Sequence, residues 1–181
     1  MKVASLMLLV GLCASASFAQ DTIVRWNKIV GVLTAPGVDN PVGGTVDANG
    51  TATNEIHSGT LPWTTKGGGA HVDLSTGQGS FNVEGLVLNG GNATGTPGPI
   101  VSVVGTLVCN PGATGAMGAT QTVIDTPAAA LSPLGNAELS FKLTNVPSNC
   151  ASPVFLIRIP QFGLRWIATG ILPVIQSRSG F

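Results

Sequence analysis

His57 and His71 are the only histidines in the 181-residue chain, so any hydrolytic or metal chemistry built on imidazole must use one of them. A serine-type hydrolase needs a nucleophile activated by a histidine that a carboxylate orients. Neither histidine lies near a Gly-x-Ser-x-Gly elbow, the turn that presents such a serine. A metal centre has a better starting set. A hairpin of residues 70–75 and 80–88, turning through Thr76-Gly77-Gln78-Gly79, is expected to set Leu74 opposite Phe81 and Val72 opposite Val83. That register puts His71 across from Glu84, with Asp73 two residues along on the same outward face. One imidazole and two carboxylates can hold a divalent ion. The same three residues also make an ordinary solvated strand face, which is the commoner arrangement, so no metal site is assigned and no cofactor is called for.

Arg158 and Arg165 form the second constellation. A hairpin of residues 154–159 and 164–169, turning through Pro160-Gln161-Phe162-Gly163, is expected to pair Ile159 with Leu164, Ile157 with Trp166 and Phe155 with Ala168. The two arginines then oppose each other beside Leu156 and Ile167. Guanidiniums next to an apolar patch suit a carboxylate or phosphate, which makes the pair a candidate contact or anion site. Like charges splaying into solvent are the plainer reading of the same pattern. Trp63, within Leu61-Pro62-Trp63, is the one tryptophan with a case for exposure, although core packing remains its default explanation. Tyrosine is absent, which argues against a sugar-stacking platform.

The elements that must position these residues are strands. Apolar side chains recur at every second position and are separated by Gly, Pro, Asn and Asp clusters. The clearest run is 136–144, where Ala137, Leu139, Phe141 and Leu143 face one way and Glu138, Ser140 and Lys142 the other. Further runs span 23–34, 55–65, 70–75, 80–88, 100–109, 121–125, 154–159 and 164–169. About nine short strands at this spacing predict one all-β domain, an antiparallel two-sheet sandwich of immunoglobulin-like or jelly-roll-like type. Long loops are expected over 35–44, 89–99 and 110–120. Their glycines are not followed by a Lys-Ser/Thr pair or a helix, so they do not read as phosphate-binding loops.

Met1-Lys2, the apolar run 3–13 and Ser17-Phe18-Ala19 make a signal peptide over residues 1–19, with cleavage expected after Ala19. Cys13 lies in that leader and lacks the preceding small residue that lipidation requires. Two cysteines then remain, Cys109 and Cys150, and export to an oxidising compartment predicts that they pair. The domain follows from residue 20 to 181, secreted or periplasmic. Charged residues make up 9% of the chain and the formal net charge is zero, so no electrostatic footprint for nucleic acid exists. No apolar run after the leader is long enough for a spanning helix. A terminal Phe181 is common in outer-membrane barrels, but Ser177 and Ser179 occupy the alternate positions where such a strand is apolar.

Four segments carry a family likeness: Gly59-Thr60-Leu61-Pro62-Trp63, Val83-Glu84-Gly85-Leu86-Val87, Gly105-Thr106-Leu107-Val108-Cys109 and Cys150-Ala151-Ser152-Pro153-Val154-Phe155. Through them the chain resembles a group of uncharacterised secreted bacterial β-sandwich proteins with one disulfide. The resemblance implies the fold and export, and brings no activity with it. The expected role is a non-catalytic binding module, or a structural module of a surface or matrix layer, with an unidentified protein or surface as partner. The alternative is a small metal-dependent or hydrolytic enzyme using His71, Asp73 and Glu84.

Overall fold

Period-two alternation produces strands at nearly every place it predicts them. The computed structural model describes residues 22–35, 37–46, 49, 51–114 and 120–177; the expected leader lies outside them. Among the described residues there are twelve strands: β1 (Thr22–Gly31), β2 (Val42–Val46), β3 (Ala52–Ile56), β4 (Trp63–Thr64), β5 (Gly67–Asp73), β6 (Gln78–Glu84), β7 (Val87–Leu88), β8 (Ser102–Thr114), β9 (Thr120–Ala130), β10 (Ala137–Lys142), β11 (Val154–Ile159) and β12 (Arg165–Ser177). Some sequence expected as loop is strand, since β2 and the end of β8 extend into it. Among the described residues, no helix is long and apolar enough to cross a membrane.

Instead of two facing sheets, eight strands form a single antiparallel sheet in the order β10-β6-β5-β1-β12-β11-β8-β9. Two small pairs, β2 with β3 and β4 with β7, stand beside it. The sheet curls until its edge strands β9 and β10 approach each other, giving a nearly closed barrel. Ring distances show how strong the curl is. Phe141 on β10 and Phe155 on β11 are separated by five strand spacings, about 24 Å in a flat sheet. Their ring centroids are 6.3 Å apart.

An eight-stranded barrel has an interior just wide enough for side chains to fill. Trp26, Phe81, Phe141 and Phe155 fill it, with Phe155 at 5.4 Å from Trp26 and 5.8 Å from Phe81. Glycines make room for the rings. A Cβ on Gly105 would lie 2.6 Å from Phe155 Cζ, and one on Gly170 would lie 2.6 Å from Trp26 Cγ. The face assignments of 136–144 hold: Ala137, Phe141 and Leu143 are buried while Glu138, Ser140 and Lys142 are exposed. On β5, β6 and β10 the apolar side chains therefore point inward and the polar ones outward, the reverse of a lipid-facing barrel.

Cys109 and Cys150 are joined, closing a loop of sequence separation 41 and tying the segment before β11 to β8. Asn110 strengthens this junction, because its amide donates to the Asn149 carbonyl at 2.7 Å and its Oδ1 accepts from the Ala151 N–H at 2.8 Å. Gln121 on β9 fastens the β2–β3 hairpin. Its Oε1 accepts from Gly44 at 2.9 Å and from Gly112 at 2.8 Å, and its Nε2 donates to the Asn54 carbonyl at 2.7 Å.

Candidate functional site: an apolar cleft at the edge of the barrel

The strand registers decide which candidate residues meet. In the β5–β6 hairpin Phe81 lies opposite Ala70 and not Leu74, and His71 lies opposite Ser80 and not Glu84, which pairs with Gly67. The cause is local. Asp73 Oδ1 accepts from the Ser75 N–H at 2.9 Å, the Ser75 hydroxyl at 2.6 Å and the Thr76 N–H at 3.2 Å. This Asx turn places the reversal at 73–78, ahead of the expected 76–79. The slip is an even number of residues, so Val72, Phe81 and Val83 remain buried. The Asp73 carboxyl is held below its ordinary value: burial would raise it, and the Ser75 and Thr76 bonds outweigh that effect. Among the described residues, no three of His, Cys, Asp and Glu converge as a metal-binding group.

His71 instead faces Arg25 on β1 and Ser80 on β6, whose hydroxyl is 3.2 Å from its Nδ1. Burial, and secondly the Arg25 charge, lower its pKa below the ordinary value. The other histidine belongs to a cluster that local sequence gives no sign of. His57 Nδ1 lies 2.5 Å from Asp39 Oδ2, and Asp39 Oδ1 accepts from the Ser58 N–H at 2.8 Å. Serine, histidine and aspartate are all present, yet the carboxylate stands between the other two. Ser58 is fully buried, and its hydroxyl has the Gly59 carbonyl at 3.0 Å and Asp39 Oδ1 at 3.2 Å as acceptors. An activated nucleophile needs the histidine beside its hydroxyl, so this geometry ties the 38–40 loop down and does not assemble a triad.

The second hairpin is also shifted from the expected register. A bulge after Ile157 sets Ile157 opposite Ala168 and Arg158 opposite Trp166, so the two arginines do not face each other. Pro160–Phe162 forms a 3-10 turn, and Gly163 and Leu164 both adopt positive φ, which lengthens the connection beyond the expected turn. Arg158 reaches Asp125 on β9. Arg165 donates from Nη1 to the Ser58 carbonyl at 2.8 Å.

Arg165 borders a cleft of about 480 Å³ lined by Leu61, Trp63, Leu88, Ile100, Ile159 and Phe162, with Pro97 and Pro99 at its wall. Trp63 is 3% exposed and fixed by β4, whereas Leu61 and Phe162 are 43% and 53% exposed. Two large apolar side chains thus stand in water over a buried indole. A larger cleft of about 820 Å³ carries Lys66, Glu84 and Glu138, charges of both signs on a mixed polar lining. The sequence contained a partial signal for the smaller cleft, namely an apolar residue at the tip of the Gln161-Phe162-Gly163 turn and the apolar Leu61-Pro62-Trp63. Nothing local shows that these segments meet residues 97–100. Comparison with protein-family models, curated proteins and solved structures finds no match for this chain.

Proposed function

We propose that this chain is an exported, non-catalytic binding module whose ligand site is the cleft formed by Leu61, Trp63, Leu88, Ile100, Ile159 and Phe162. The observation that carries the reading is the exposure of Leu61 and Phe162 over the Trp63 indole in a concave surface. Clefts of a few hundred Å³ with an apolar lining and one or two polar groups are the usual form of small-ligand sites. Burial of ligand surface there would contribute about 25 cal/mol per Å². The Cys109–Cys150 disulfide supports an oxidising destination. A metal-dependent or hydrolytic role through His71, Asp73 and Glu84 has no such support, because Glu84 pairs away from His71 and Asp73 caps its own turn.

The test is titration of the protein with decan-1-ol, a neutral apolar probe, followed by tryptophan fluorescence and calorimetry. Saturable binding that is lost in Leu61→Asp and Phe162→Ser, both exposed positions, is the expected result. A wild-type protein that shows no saturable binding of decan-1-ol or of its carboxylate counterpart, sodium decanoate, would overturn the reading.

A further inference from the structure

We infer that the cleft selects an amphipathic carboxylate, an alkyl or aryl chain ending in a carboxylate that Arg165 receives; this rests on the cleft being the binding site. Among the described residues of the lining, Arg165 is the only ionisable side chain. Among the described residues, no carboxylate pairs with it. Among the described residues its one acceptor is the Ser58 carbonyl, which occupies a single donor of a five-donor guanidinium. That bond has a positional consequence. Ser58 is buried and held by Asp39 and by the Asn40 N–H, which donates to its hydroxyl at 2.9 Å, so the carbonyl is a rigid anchor. The guanidinium is thereby oriented at the rim before a ligand arrives, and less side-chain freedom remains to be lost on binding.

The rest of the lining restricts the ligand. Leu61, Trp63, Ile100 and Phe162 make the wall apolar, and beyond Arg165 the polar side-chain groups of the lining are the exposed Thr60 hydroxyl and the Trp63 indole N–H, so most of the molecule must be apolar. A planar fork recognises a carboxylate in bidentate fashion, and a partly desolvated site strengthens that contact. A compact polar anion would satisfy Arg165 but leave the apolar wall wet, and a neutral lipid would fill the wall but leave the fork unmatched. The amphipathic acid satisfies both.

Sodium decanoate and decan-1-ol share a chain and differ at the head group, so the pair separates the two ideas. Calorimetry on the wild type should show decanoate binding at least about tenfold tighter than the alcohol, the usual worth of a charge-assisted hydrogen bond. Arg165→Gln should abolish that preference while leaving decan-1-ol within about twofold, and Arg165→Lys should restore part of it. Equal wild-type affinities, or a preference that survives Arg165→Gln, would overturn the carboxylate inference and leave the cleft standing. Failure of both probes to bind would overturn both. The wild-type comparison decides the matter even where a variant does not fold.

Discussion

Arg158 crosses β8 to reach Asp125: its Nη1 donates to Asp125 Oδ1 at 3.1 Å, and the fully buried Thr106 donates its hydroxyl to the same oxygen at 2.5 Å. One carboxylate thereby joins three neighbouring strands, β11, β8 and β9, on the outer face of the sheet. Only 11% of the Arg158 side chain is exposed, so it has little water to turn to. Asp125→Ala should lower stability by about 1–3 kcal/mol, because the buried Thr106 hydroxyl loses this acceptor and the nearly buried Arg158 loses its carboxylate partner and keeps the Leu164 carbonyl. Urea unfolding checks this, and an unchanged midpoint would refute it.

Gly105 and Gly170 admit the interior rings and should not tolerate a methyl group. Gly105→Ala and Gly170→Ala are each expected to cost about 1–3 kcal/mol through overpacking against Phe155 and Trp26. Gly67→Ala is the control, since its Cβ would meet only Glu84 Oε2 at 3.7 Å and its φ is ordinary. It should stay within about 0.5 kcal/mol of wild type. Thermal midpoints of the three variants that fall together would show that the interior yields more readily than the ring contacts imply.

Stability should decline with acid in two stages. His71 has a lowered folded pKa from burial and Arg25, so the unfolded chain takes up its proton first. Stability is therefore lost as pH falls from the ordinary value of 6.5 toward the lower folded one. Asp39 is lowered too: burial would raise it, but the Ser58 N–H and His57 outweigh that effect. Its contribution is present above the ordinary 3.8 and disappears as pH falls through the folded value. A melting series across pH should lose its upper step in His71→Gln and part of its lower step in Asp39→Asn. An upper step that persists in His71→Gln would assign it to another group.

Reduction should destabilise the domain strongly. A closed loop of sequence separation 41 is worth roughly 4 kcal/mol in the chain-entropy description. Cys109 is fully buried and Cys150 half-buried, so attack on native protein is confined to the Cys150 sulfur, and reduction should be slower there than once denaturant opens the domain. Alkylation trapping with and without urea measures both rates, and equal rates would mean that the bond is accessible in the folded state.

The facing of residues was largely legible along the chain. Alternation is a local property of strands, so Phe141 inward and Lys142 outward followed from 136–144 alone. Val72, Phe81 and Val83 stayed in the core even though their partners were four residues from the expected ones. A slip by an even number of residues changes neighbours without changing faces. The disulfide was legible by counting, since one pairing remains once Cys13, in the segment expected to be a leader, is set aside. Neighbours, and hence sites, were not legible in this way. Whether His71 meets Glu84 depended on where the chain reversed, and an Asp73 side-chain cap two residues from the histidine moved that point.

Sequence by itself thus determined that the domain is built of strands, which face of a run such as 136–144 is apolar and, by simple count, how the cysteines pair, but it set Trp166 beside Ile157 where the bulge sets it opposite Arg158. Only the tertiary structure decided between a sandwich and a curled single sheet. Burial of apolar area is non-directional, so both architectures satisfy the same alternation. The choice was made by fit: glycines at 105 and 170 leave space for Phe155 and Trp26, and the rings of β1, β6, β10 and β11 meet inside only when the sheet curls. The tertiary structure also gathers Leu61, Ile100 and the turn that carries Phe162 and Arg165, three segments distant in sequence, into one cleft.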